Sequence, residues 1–516
     1  MLELENWITI LSRPSIRAIS PRSNQTKRLH GRKESRSAAS RWREFPRGGT
    51  PIGSQSRNLA YHVTLSSATR SCTVRTRAIV RQLLCVTNIP CWIYCPGGSK
   101  PAPEGRSVTM SPTSEAIRLP FKQVCIVGGG NAAHALAALL PSRGFRTVWY
   151  APYEDEAKRI NAQLARYNTI SATFAPHNTP HGEVHGRPVI ISANAQDVIP
   201  SSDVLLLPVP SFAYSPLLRQ MKDHLRPGTF VGVTPGQGGF DWIAQEILGT
   251  TLFSQITVFA ILPMPFNCRI TEFGHSVAVQ TYKRHYRIGV VPETRKDEVL
   301  AINRALFGHT EFIGHFINCT LYPINAIIHP QRLYRLCKDW TPDGPPLKEN
   351  PLFYEHMDEE STSYMDQVNK ELIQVCERLT ALGMEAKVPH IFEFLSWVYP
   401  EVKAKSLVEI FASNDAYTGF RCPFKRVEGG WVPDFENRYF TEDIPCGLCI
   451  YKGIADIVNV PTPMMDRVLT WAQEHMGKEY LVEGRLQGKD VGETTAPQRF
   501  GITTVAQLKK GTGMAL

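Results

Sequence analysis

Val124-Cys125-Ile126-Val127-Gly128-Gly129-Gly130-Asn131-Ala132-Ala133, continued by an Ala- and Leu-rich stretch to Leu140, is the run of sequence that decides the fold. Apolar residues in an unbroken short run, closed by glycine, read as a strand buried on both faces of a parallel sheet. The glycine turn leads directly into a helix, and Thr147-Val148-Trp149-Tyr150 supplies the next strand. Strand, turn, helix and strand fit within a unit of about 30 residues, and Gly128, Gly130 and Ala133 stand at the spacing of the dinucleotide fingerprint. Gly128 is expected to make the tight turn, Gly130 to let backbone approach a pyrophosphate, and Ala133 to let the helix pack closely. With Asn131 inside the same turn, these are the cofactor-binding candidates. The implied cofactor is NAD, with NADP possible. The acid that usually closes the second strand and binds the adenosine ribose is missing, because Tyr150-Ala151-Pro152 stands there. Glu154 and Asp155 come a few residues late, and Lys158 and Arg159 could reach a 2′-phosphate from the following helix.

The alternation continues downstream. Asp203–Val209, Thr229–Thr234 and Ile256–Leu262 read as further buried strands separated by helix-length segments. The expected fold is α/β, an N-terminal Rossmann-type doubly wound parallel sheet at 119–316. Ligands bind such sheets beyond the strand C-termini, which is where Pro210-Ser211-Phe212 and Pro235-Gly236-Gln237-Gly238-Gly239 fall. After about residue 316 the pattern becomes helical, with Tyr364, Val368, Leu372, Val375, Leu379 and Leu382 at spacings of three and four and Gly383 as the stop. An all-α C-terminal domain is expected over 317–516, interrupted by a proline-rich excursion at 340–351 and an aromatic loop region at 414–439.

Charge divides the chain unevenly. Residues 1–110 carry 18 Lys and Arg against 5 Asp and Glu, so the rest of the chain is mildly acidic at −3. A body of that charge gives no support to nucleic-acid binding. No apolar run approaches the roughly 20 residues of a membrane span, since Pro208, Pro210, Pro263 and Pro265 break the longest candidates. Residues 1–118 lack periodicity and read as a basic, disordered extension. Their Arg- and Ser-rich, acid-poor composition also fits a transit peptide, but prolines interrupt every candidate helix and Met110 lies just upstream of the patterned region. The balance favours an upstream extension, and a cytoplasmic over a mitochondrial protein. Eight of the 12 cysteines are scattered through the body, as expected of reduced thiols. Cys446 and Cys449 form a lone CxxC in a probable helix, too little for a metal site.

Five stretches in order carry a family resemblance: the glycine turn with Ala133-His134-Ala135, the loop 235–242, Cys268–Gly274, Asn325–Pro330, and Arg438–Pro445. Together, over about 122–480, they resemble the opine dehydrogenases, the octopine/nopaline group. The resemblance implies NAD(P)H-dependent reductive condensation of an amino acid's amine with a 2-oxo acid such as pyruvate. Those two small molecules are the expected partners; the pattern says nothing of oligomeric state. It implies His329 as the catalytic histidine, Asp443 as the carboxylate paired with it, Arg438 as the anchor of the amino-acid carboxylate, and Gln237 between nicotinamide and oxo acid. On residues alone, Asp443 before Pro445 also reads as a helix N-cap. Alternatives are a 2-hydroxy-acid dehydrogenase on the same architecture and a non-catalytic NAD(P)-binding regulator. The link 263–267 is longer than the family's, and Ala260-Ile261 stands where arginine-using relatives carry an acid. A small, neutral amino substrate is therefore expected, unless another acid such as Glu272 serves instead.

Overall fold

The computed structural model describes residues 119–322 and 324–511. The readings made for the basic extension, 1–118, lie outside the described residues.

Twelve strands can be followed along the first half of that range: β1 (Gln123–Val127), β2 (Arg146–Tyr150), β3 (Ile170–Phe174), β4 (Gly182–Gly186), β5 (Ile190–Ser192), β6 (Val204–Leu207), β7 (Phe230–Val233), β8 (Thr257–Leu262), β9 (Phe266–Glu272), β10 (Ser276–Tyr282), β11 (His285–Val291) and β12 (His309–Phe312). Eight form the main sheet, in the order β12-β11-β8-β7-β6-β1-β2-β5. From β5 to β8 every pairing is parallel, and the order reverses beside β1. At β11 the direction changes, because β11 pairs antiparallel with β8. The four apolar runs named from the sequence are β1, β6, β7 and β8.

A second sheet, β4-β3-β10-β9, was not expected. It explains the composition of the first helix, α1 (Asn131–Ser142), whose residues from Ala132 to Leu140 are all buried. A helix that is apolar all round needs cover on every side, and here the main sheet and the second sheet both supply it. The cover is close. A Cβ on Gly186 of β4 would lie 2.2 Å from the carbonyl oxygen of Ala138, so strand and helix backbones meet with no side chain between them.

His134, on α1, ties the glycine turn to this second sheet. Its Nδ1 lies 3.0 Å from the Gly130 carbonyl, and its Nε2 accepts the Gly274 N–H at 2.9 Å. The ring must therefore be neutral, with the proton on Nδ1. Burial draws its pKa down from the ordinary value to about 4.

The helical half is built on α2 (Asn325–Cys337), α3 (Glu359–Ala381), α4 (Cys449–Val458) and α5 (Pro463–Met476), with shorter helices and two small hairpins, 424–433 and 481–486. The side chain of Asp358 caps α3, and Gly383 ends it in a left-handed conformation, φ +79°. Val368, Leu372, Val375 and Leu379 are buried as their spacing predicts; Leu382 is exposed. Arg332, one turn beyond His329 on α2, is almost wholly buried. Its guanidinium donates to the Phe353 and His356 carbonyls and to Ser361 Oγ, which fixes the segment carrying Tyr354. No helix among the described residues is long and apolar enough to cross a membrane.

The His134 geometry makes a prediction about acid. An unfolded histidine protonates near pH 6.5, whereas the folded ring resists to about pH 4. Stability from the neutral ring is thus full above about pH 6.5 and falls as pH drops towards 4, by about 3 kcal/mol in total. Urea unfolding across that range should show His134→Gln flattening this slope, and an unchanged slope would reject the assignment.

Candidate active site

The strand ends and the helical half enclose a cleft of about 750 Å³. Gly130, Asn131, Gln237, His329 and Arg438 all line it, together with Tyr354, Tyr439 and Glu442. Gly128, Ala133 and Asp443 stand behind its walls. Gly128 has φ +100°, and a Cβ there would meet Val209 Cγ1 at 2.5 Å, so glycine is required on both counts. Apart from its chain neighbours and its own helix, nothing lies within 4 Å of where a Cβ of Gly130 would be, which leaves the mouth of the turn open. The side-chain oxygen of Asn131 accepts the Ile270 N–H at 2.8 Å.

His329 projects from the second turn of α2. Its Nδ1 lies 2.7 Å from Asp443 Oδ2, and both side chains are about 95% buried, with relative exposures of 6% and 5%. Asp443 makes no capping bond to the helical turn that follows it; its carboxylate is given to the histidine. A carboxylate only accepts, so Nδ1 carries the proton and Nε2 faces outward. There it meets the Tyr354 hydroxyl at 2.8 Å. Burial raises the Tyr354 pKa well above its ordinary value, so the phenol keeps its proton. Tyr439 stacks on the imidazole at 3.9 Å, with the rings within 12° of parallel, and Phe353 meets its edge at 5.4 Å. The ring can neither rotate nor swing.

Arg438 comes one residue before that stacking tyrosine. Its Nη2 reaches Glu442 Oε2 at 2.8 Å, with the arginine side chain 55% exposed and the glutamate 2%. The other glutamate oxygen accepts the Ser211 N–H at 2.9 Å. Glu442 thus clamps the loop after β6 to the helical half while aiming Arg438 along the cleft. Burial raises the Glu442 pKa, and the Arg438 charge opposes the rise.

Tyr354, Glu442 and Glu156 were not singled out in the sequence. Glu442 was legible as an i,i+4 partner of Arg438. Tyr354 had no local signal, since its place depends on Arg332. Glu156 begins the helix after β2, and its carboxylate lies over the glycine turn: a Cβ on Gly129 would sit 2.2 Å from its Oε2. That oxygen is buried and has no hydrogen-bond partner. Burial, the largest effect on it, raises the Glu156 pKa to about 6. Of the candidates read from the sequence, Arg159 and Asp155 pair with each other at 3.7 Å, and Arg159 also stacks on Phe273 at 4.1 Å.

Two expectations need correction. Ala260 and Ile261 are fully buried inside β8 and do not line the cleft. A Cβ on Gly236 would come within 2.2 Å of the Ala260 methyl, so an acidic side chain at 260 would collide with the Gly236 turn. Glu272 does not replace them, because it bonds Gln163 and Tyr167 away from the cleft. Cys446 and Cys449 are buried free thiols whose pKa values are raised by burial. No cluster of three metal-ligating side chains occurs among the described residues.

Residues 312–476 match the family model described as NAD/NADP octopine/nopaline dehydrogenase, alpha-helical domain. The tauropine dehydrogenase of Arabella iricolor is 34% identical over 397 residues, which span 74% of this chain and 98% of that protein. The chain belongs to the opine dehydrogenase family. The opine dehydrogenase of Haliotis discus hannai is 33% identical over 75% of this chain and 98% of its own. The solved structure of an octopine dehydrogenase with NADH and agmatine superposes with a TM-score of 0.68 at 30% identity, over 76% of this chain and 99% of that one. A second octopine dehydrogenase structure, with NADH and L-arginine, gives the same score. As an opine dehydrogenase, the chain is an NAD(P)H-dependent oxidoreductase acting on the CH–NH group of donors.

Proposed function

We propose that the cleft joins the amine of a small, neutral amino acid to the carbonyl of a 2-oxo acid such as pyruvate, with the His329–Asp443 pair as its acid–base centre. The observation that carries this reading is a buried, doubly held histidine opening on the same cleft as the dinucleotide turn. Amine and ketone join to a carbinolamine, which loses water to an imine, and each step moves a proton. His329 exchanges that proton at Nε2. Asp443 holds the ring in one tautomer and stabilises the imidazolium when it forms. The Tyr354 hydroxyl keeps Nε2 hydrogen-bonded until a substrate oxygen takes its place. Arg438, held by Glu442, offers a planar donor pair to the amino-acid carboxylate.

The turn fits a dinucleotide, being open at Gly130 and left-handed at Gly128. Bound there, the nicotinamide supplies the hydride that reduces the imine. Gln237, on the cleft lining, would contact the nicotinamide and the oxo acid. Glu156, with its unpartnered oxygen beside Gly129, accepts the adenosine ribose hydroxyls and disfavours a 2′-phosphate, which favours NAD. The eight cysteines among the described residues, all free and buried, suit a reducing compartment such as the cytoplasm.

The amino substrate is small and neutral because the cleft offers a cationic side chain no free buried partner. Glu442 is committed to Arg438, and the other lining carboxylate, Asp415, is exposed, where an ion pair is worth only about 0–1 kcal/mol. Relatives named for tauropine and octopine mark the range of amines that this chemistry accepts.

Four measurements test these roles. His329→Ala should lower turnover by about 10² to 10⁴ while NADH still binds. Asp443→Asn should do similar damage, and the double variant should be little worse than either single one; strict additivity would argue against a coupled pair. With pyruvate and NADH, kcat/KM should be higher for L-alanine than for L-arginine, and the reverse order would overturn the specificity reading alone. Glu156→Gln should raise the NADPH-to-NADH ratio of kcat/KM by about tenfold or more as a like-charge repulsion is removed, and an unmoved ratio would release Glu156 from this role.

A further inference from the structure

Lys283 is a buried cation for which the roles above provide no use. It sits between β10 and β11, is 6% exposed, and lines the same cleft as His329. Its Nζ donates to the Met264 carbonyl and to Asn267 Oδ1, each at 2.9 Å. Both acceptors are neutral, and among the described residues no carboxylate lies within ion-pair distance of it. The ring of Tyr399, 5.9 Å away, is a weak substitute for a counter-charge. An ammonium has three protons to place, so one remains without an acceptor.

A structural explanation for this residue is weak. The side chain does brace the link 263–267, but the Lys283 main-chain N–H already does so through the Pro265 carbonyl at 2.9 Å. An uncharged side chain could make that brace without the cost of burying a charge. Burial alone pulls the Lys283 pKa below its ordinary value, and an anion beside it would restore the charged form.

The position of this charge indicates what it binds. The Gly236 N–H bonds the Ile261 carbonyl at 2.9 Å, so the loop carrying Gln237 and the link carrying Met264 leave adjacent strand ends together. The Lys283 ammonium, bonded to Met264, is therefore at the same corner of the cleft as Gln237. Arg438 belongs to the other wall, in the helical half.

We infer that Lys283 is the binding residue for the carboxylate of the 2-oxo acid, with Asn267 orienting its ammonium. The two substrate anions are then divided between the two walls, the amino acid's on Arg438 and the oxo acid's on Lys283. This rests on the reaction proposed above and adds to it the residue that recognises the second substrate.

The test is steady-state kinetics of Lys283→Met with pyruvate and with methyl pyruvate, which keeps the ketone and lacks the charge. In the unaltered enzyme pyruvate should be the better substrate. In Lys283→Met the KM for pyruvate should rise roughly ten- to a hundredfold, the range for losing one charge-assisted hydrogen bond. The preference for pyruvate over its ester should collapse, while the KM for the amino acid, NADH binding and the melting temperature hold. Lys283→Arg should keep the preference. If Lys283→Met does not fold, Lys283→Gln, which keeps a donor to Met264, serves in its place. An intact pyruvate-to-ester preference in a folded, neutral variant would overturn the inference, as would a rise confined to the amino-acid KM. Failure of the underlying reaction would look different: the unaltered enzyme would oxidise no NADH with any amine and pyruvate.

Discussion

The architecture depends on one tight fit, the seating of α1 between two sheets at backbone distance. Alanine at nearly every turn and glycine at 186 make that distance possible. Once α1 is pinned on both sides, the direction of its N-terminus is set, and with it the place where the glycine turn opens. His134 completes the constraint, bonding the turn through one ring nitrogen and the second sheet through the other. The main sheet then carries two distinct cores. Val124 and Ile126 of β1 belong to one core with α1 and the second sheet, and Cys125 and Val127 to another that runs through the helices following β5, β6 and β7 and on into the helical half.

The site is assembled by buried polar bonds, one set joining the two halves and another inside the helical half. Glu442 joins the loop after β6 to the helix that presents Arg438. Arg332, buried beneath His329, holds the backbone that carries Tyr354. These are costly groups to remove from water, and a half-satisfied buried network is worse than none. The wall around His329 is accordingly specified by charge and hydrogen bonding. Elsewhere in the lining, Phe394, Leu395 and Val398 present only apolar side chains to the same cleft.

Much of this was legible in the sequence, for identifiable reasons. Strands buried on both faces write continuous apolar runs, and so β1, β6, β7 and β8 could be placed. The second sheet could not, since Ile-Ser-Ala-Thr-Phe and Gly-Glu-Val-His-Gly mix polar residues into strands that cover only a helix. His329 and Asp443 are 114 residues apart, and no local pattern joins them; the family resemblance nominated them, and the fold places them 2.7 Å apart. Ala260 misled because a position in an aligned motif says nothing of which way the side chain points. Glu156 has no signal at the end of β2, because the chain turns back after that strand and lays an acid over the glycine turn from the next helix. Lys283 carried no signal at all, since only its burial without a partner makes it conspicuous.

The segment Arg438–Asp443 has a consequence for how such an enzyme can change. Within six residues it supplies a cleft-lining arginine, a ring that stacks on the histidine, a strut to the other half and the histidine's own partner. Each role depends on helical phase, so a single insertion or deletion would turn all four side chains to wrong directions at once. The apolar residues at 394–398 share none of these duties and can be exchanged one at a time. The cleft is therefore evolvable on one side only: new amines can be accommodated by repacking the apolar wall, while the wall that performs the chemistry must be inherited whole.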